Sequence, residues 1–293
     1  MRTERSTLIA WAFLAPALIY VLAIVAWPLV QTVILSFTDA SLRKTTNWVG
    51  WANYDKIFNA TFATVITRTF VWTFFSVLLK MILGTIGAVL LNAAVPGRHL
   101  FRILIMPPWI VPMAIGIFMW GWMYNGQFGM ISGLLQRFGI VDGPVAWLAY
   151  GNTAFWATIV TDVWIGVPIV TIYFLAAIQA IPKDLYEAAW TDGAGRWYRF
   201  RRITLPLIVP AIITMSMLSL IATFNSFDII WILTQGGPNG ATTTMIIDTY
   251  QTAIGSRKYG EGAARAVVIC IFLSLFSLAY FRVTRRLHPE GSK

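Results

Sequence analysis

Cysteine and histidine are nearly missing from this 293-residue chain: it has one cysteine and two histidines. Cys270 has no second thiol, so an intrachain disulfide and a cysteine-based metal site are both excluded. His99 and His288 both sit beside basic loops and give metal catalysis little to work with. Charge is scarce too. Charged residues make up 12% of the chain against 58% hydrophobic ones, and the mean hydropathy is +0.69. A soluble domain needs far more polar surface, so this is the composition of an integral membrane protein. There is no G-x-x-x-x-G-K-[ST], so the chain is not itself a nucleotide hydrolase. G-x-S-x-G and H-E-x-x-H are missing as well. Alternating ten-residue segments, which would indicate a β-barrel, do not occur.

What is present is a series of long apolar runs. A bilayer core of about 30 Å is crossed by ~20 helical residues. On that measure six spans are expected, at residues 8–35, 65–91, 103–124, 154–180, 205–233 and 263–283, within a single transmembrane domain covering residues 1–293. Pro16 and Pro28 fall inside the first span, and Pro107, Pro108 and Pro112 break the third. The N-terminal apolar stretch far exceeds the h-region of a signal peptide, so it reads as a retained first helix. With the N-terminus inside, inner segments hold thirteen lysines and arginines and outer segments eight, with Lys80 inside a span. That asymmetry places both termini in the cytoplasm. The net charge of +10 then belongs to cytoplasmic loops facing anionic lipid rather than to nucleic acid.

The charges that exist concentrate in one internal, cytoplasmic loop, residues 181–204. "EAAWTDGAGRWYRFRRITLP" carries Glu187, Asp192 and four arginines between two apolar spans. Pro182 and Asp184 suit a helix start, and "LYEAAW" reads as a short helix ended by Gly193 and Gly195. Ala188 and Ala189 leave its surface shallow enough for a close partner. Beyond it, Arg196, Arg199 and Arg202 recur every three residues, as do Trp197, Phe200 and Ile203. On a helix these make adjacent basic and apolar stripes suited to the headgroup region, with the next membrane helix starting at Pro206. Shape alone leaves two readings open: a docking element, or a plain interfacial connector.

The order of residues resembles the EAA loop of binding-protein-dependent ABC importer permeases. Glu187-Ala188-Ala189, three residues, Gly193, nine residues, then Ile203-x-Leu205-Pro206 match all seven fixed positions of that pattern. "FDIIWILTQGGPNGATTT" and "WIGVPIVTIYFLAAIQAIPKDLYEAA" are similar to segments of the carbohydrate, maltose-type members. The resemblance implies a type I permease fold in a bacterial plasma membrane. It also implies a second homologous permease, two ATPase subunits and an extracytoplasmic binding protein as partners. ATP and magnesium would belong to the ATPase, and no cofactor to this chain. Glu187, Ala188, Ala189, Asp192, Gly193, Ile203, Leu205 and Pro206 would form the ATPase-coupling loop. The positions that hold substrate in the maltose-type permease fall on Ile165, Gly166, Ile169, Ser219, Ala222, Thr223 and Ser226, with Asn225 adjacent.

Three charges inside or near spans are read functionally by default, because a charge in hydrocarbon costs several kcal/mol. Lys80 lies near the middle of the second span, where it either snorkels or serves a function. Asp162 and Asp228 are either mouth residues or polar-ligand contacts. In the alternative function, an ion-coupled secondary transporter, they would bind the ion. Trp164 is either a sugar-stacking residue or helix packing.

Overall fold

The computed structural model describes residues 2–42, 46–93 and 97–287. Arg43, Lys44, His288 and Lys293, which count among the charges and histidines of the sequence, lie outside the described residues. Helices dominate, and an isolated β-bridge joins Thr38 to Trp48. The helices that organise the described residues are α1 (Trp11–Ser36), α2 (Ala52–Ile57), α3 (Ala60–Asn92), α4 (Arg98–Ile110), α5 (Met113–Met123), α6 (Met130–Arg137), α7 (Gly151–Gln179), α8 (Lys183–Thr191), α9 (Arg196–Phe224), α10 (Asp228–Thr234), α11 (Met245–Tyr250) and α12 (Tyr259–Leu287).

Five of these are long and apolar enough to cross a membrane alone, and α4 with α5 makes a sixth crossing bent by 96°. The bend has a local cause. Pro107, Pro108 and Pro112 remove backbone donors, and Val111 turns to an extended ψ of 135° before Pro112. Side-chain register shows that the pair is a broken span rather than a loop returning to its starting side. Trp72 Nε1 donates to Thr158 Oγ1 at 3.0 Å, Lys80 meets Asp162, and Gly87 faces Thr171. Partner numbers rise together, so α3 and α7 run parallel, and the chain between them must recross the membrane. Gly84 and Gly87 allow this approach, since a Cβ at either would collide with Val170 or Thr171.

The fifth span departs from expectation at both ends. It begins at Arg196, ahead of Pro206, and stops at Phe224, with α10 a separate helix after Asn225–Phe227. Pro206 is accommodated by a π-helical turn at Phe200–Thr204, closed by Leu205 N–H donating to the Phe200 carbonyl. The wider turn carries the Arg202 carbonyl, with which the proline ring would otherwise clash, and absorbs the missing donor. The same device, Leu22–Ala26, precedes Pro28 in the first span. The expected amphipathic ribbon is therefore divided. Trp197 is 71% exposed, while Ile203 packs on the apolar core built from Val77, Val170, Phe174, Ile178 and Ile208.

The described chain forms two compact units, residues 1–63 with 248–274 and residues 64–247 with 275–293. In the first, buried Asn53 donates its amide to the Ser36 and Thr38 carbonyls at 2.8 and 2.7 Å, and Ser36 bonds the Tyr54 hydroxyl. Arg265 and Asp248 pair at 2.6 Å. The second unit contains α7, α8 and nearly all of α3 and α9, and with them every candidate site residue.

Candidate functional site

The coupling-loop residues form a compact, capped helix. Helix α8 ends at Thr191, Asp192 is its C-cap, and Gly193 takes φ +77°. The Gly193 N–H donates to the Trp190 carbonyl at 3.0 Å and the Ala194 N–H to the Ala189 carbonyl at 2.9 Å. This is a Schellman closure, and the left-handed conformation at its turn favours glycine. Thr191 Oγ1 adds a bond to the Glu187 carbonyl at 3.0 Å. Glu187, Ala188 and Asp192 are exposed, Ala189 is half-buried, and Trp190 is 71% exposed. The acid, the small residues and a large indole thus share a free surface on a rigid element.

That element is tied to the membrane helices rather than hanging loose. The Tyr186 and Thr204 hydroxyls meet at 2.9 Å, joining α8 to the π turn of α9. Tyr186 and Ile203 both pack against the apolar core between α3, α7 and α9. Leu205 is half-buried and Pro206 exposed at the next turn. A force on α8 therefore reaches α9 through one hydrogen bond and two packed side chains.

A second cluster lies within the membrane-spanning part. Lys80 Nζ stands 2.6 Å from Asp162 Oδ2, with each side chain 8% exposed, and donates to Thr223 Oγ1 at 3.0 Å. Asp162 Oδ2 meets the ammonium outside hydrogen-bonding alignment, so the contact is an ion pair. Three helices, α3, α7 and α9, converge on this point. Gly166 makes room for it: a Cβ there would fall 2.7 Å from Lys80 Cε. Lys80 is thus buried and paired rather than snorkelling, and Asp162 is neutralised rather than free at a mouth. Sequence reasoning weighed the two charges separately. The usable signal was that each is a lone charge, opposite in sign, inside an apolar run. Asp228 is exposed in the first turn of α10 and takes no part.

The expected substrate positions separate by face. Ser219 and Thr223 are buried, and Thr223 is committed to Lys80. Gly166 is half-buried beneath Lys80, Ile169 packs on the core, and Ile165 and Ser226 are half-buried. Ala222 and Asn225 are exposed, although the Asn225 amide donates to the Ile221 carbonyl at 3.0 Å. The structure therefore does not gather these eight positions into one open pocket. Trp164 meets Trp120 edge-on at 5.7 Å in an aromatic cluster with Tyr124, which is helix packing.

Comparison with known proteins agrees with this architecture. The family model described as "Binding-protein-dependent transport system inner membrane component" matches residues 80–291. A trehalose/maltose transport system permease protein of Thermococcus litoralis is 35% identical over 96% of this chain and 95% of its own length. A probable ABC transporter permease protein of Brucella suis is 34% identical over 92% of this chain and 94% of its own. In fold, the chain is similar to the crystal structure of a bacterial alginate ABC transporter in complex with its alginate pentasaccharide-bound periplasmic protein. That match has a TM-score of 0.86 at 21% identity, covering 98% of this chain and 97% of the other. The broken third span, the exposed capped helix and the matched segments lead to one conclusion: this chain belongs to the family of binding-protein-dependent transport system inner membrane components.

Proposed function

We propose that the chain is the permease subunit of an ATP-driven importer for a sugar or sugar-like solute, and that α8 is its coupling helix. The partners in this reading are a second homologous permease, two cytoplasmic ATPase subunits and an extracytoplasmic binding protein. ATP and magnesium act in the ATPase, and this chain performs no hydrolysis. Both termini lie in the cytoplasm. Closure of the ATPase pair pulls α8, and α9 transmits the pull to a cavity shared with the second permease. The carbohydrate assignment rests on the trehalose/maltose relative.

The observation that carries the reading is the free face of Glu187, Ala188 and Asp192 on a helix closed by Gly193 and anchored through Tyr186. Docking of an acid against a basic residue contributes about 1–3 kcal/mol when desolvated and little when wet. Glu187→Lys or Gly193→Asp should leave the chain folded and inserted while abolishing transport. In reconstituted complexes, ATP hydrolysis should no longer rise when loaded binding protein is added. Lys183→Gln, which changes an exposed residue outside the matched pattern, is the control. Unaltered stimulation in both severe variants would sink the coupling role.

On the substrate side, exposed Ala222 of α9 and Asn225 just beyond its end are the positions best placed to meet a solute. Bulky replacement there should lower transport without lowering binding-protein affinity. Bulky replacement of Thr223 should instead disturb the Lys80 pair.

A further inference from the structure

Where α9 enters the membrane, Trp197, Tyr198, Arg201, Arg202 and Pro206 line a pocket. Two aromatic rings, two guanidinium groups and the proline thus share one opening at the π turn. Trp197 and Tyr198 are 71% and 57% exposed, and both arginines are exposed. Among the described residues neither Arg201 nor Arg202 forms an ion pair, and no acid lines the pocket. Phe200 backs the Trp197 ring at 5.6 Å and holds it in place. Two free cations on an aromatic floor call for an anion with planar or bidentate oxygens.

Depth identifies the source of that anion. Pro206 closes the pocket one residue before Leu207, which is 49% exposed and begins the apolar, outward-facing surface of α9. The pocket thus lies where a membrane helix leaves hydrocarbon, the level occupied by Trp, Tyr and lipid phosphates. No residue of α8 takes part in it. We infer that this pocket binds the phosphate of an anionic phospholipid and fixes the depth at which the loop-bearing end of α9 sits. The inference rests on the membrane placement of α9 and not on the importer reading, so either can fail alone.

The test uses the full chain purified with an equimolar mixture of phosphatidylglycerol and phosphatidylcholine, with retained lipid counted by native mass spectrometry. Wild type should keep phosphatidylglycerol in preference. Arg201→Gln/Arg202→Gln should lower that preference roughly 25-fold, about fivefold for each arginine. Arg201→Lys/Arg202→Lys should keep most of it, which separates lost charge from lost fold, and Lys183→Gln should match wild type. Equal retention by wild type and the double Gln variant would overturn the proposal. So would inorganic phosphate displacing the lipid at millimolar concentration, which would mark a soluble-anion site. Unchanged lipid retention with loss of ATPase co-purification would overturn it too, and would assign the face to that partner.

Discussion

Lys80 and Asp162 show how a single buried pair constrains three helices. Removing one partner leaves an uncompensated charge in a low-dielectric interior, which costs about 3–5 kcal/mol where such pairs are broken. Lys80→Met and Asp162→Asn should each lower unfolding stability in detergent by that order, and Lys80→Met/Asp162→Leu should recover most of the loss. If the double variant is as unstable as the singles combined, the pair is not the coupled unit described. Gly166→Ala adds a Cβ 2.7 Å from Lys80 Cε. Overpacking of this kind costs about 1–3 kcal/mol. A double-mutant cycle with Lys80→Ala should return most of that as coupling energy. Sequence made these residues conspicuous but could not join them. Which charge meets which depends on helix register, and register is settled by contacts such as Gly87 against Thr171, far apart in sequence. The same reason explains Thr223: its hydroxyl reads as a solute contact in sequence, and only the packed arrangement commits it to Lys80.

At the scale of elements, α8 was legible because its signals are local. A proline start, an alanine-rich turn and a glycine stop lie within twelve residues, and the structure realises the stop as a Schellman closure. Gly193→Val should be worse than Gly193→Asn, since asparagine tolerates positive φ and a β-branched residue does not. The difference, about 1 kcal/mol, should appear as faster proteolysis between Trp190 and Trp197, with Asn close to wild type. Equal cleavage of both would mean that backbone conformation is not what Gly193 provides. The start of α9 was misread for a physical reason. A proline is taken to begin a helix, but a π turn lets one sit inside it, and no side-chain pattern announces a wide turn. Apolar run length does not show where a helix breaks. Hydropathy carries through Asn225–Phe227 although the backbone does not.

For the second unit, the parallel run of α3 and α7 makes the bent pair a crossing, and α9, returning across the membrane, leaves the 125–150 and 235–247 segments on the same side. If the termini are cytoplasmic, as the lysine and arginine asymmetry predicts, a reporter inserted near Gly240 should be external and one fused after Lys293 cytoplasmic; signals on the same side would refute the topology. The break at Val111–Pro112 has a consequence for assembly. The last carbonyls of α4 and the first N–H groups of α5 lack intrahelical partners, and Trp109, Ile110, Pro112 and Met113 around them are exposed in the isolated chain. Hydrocarbon does not tolerate bare backbone, so whatever part of this corner α7 leaves uncovered needs a neighbour other than lipid. In the importer reading it is the second permease, and the corner then acts as a quality-control signal. A chain made without its mate would leave that part of the corner facing lipid, and pulse-chase in cells lacking the partner gene should find it cleared several-fold faster than the assembled form.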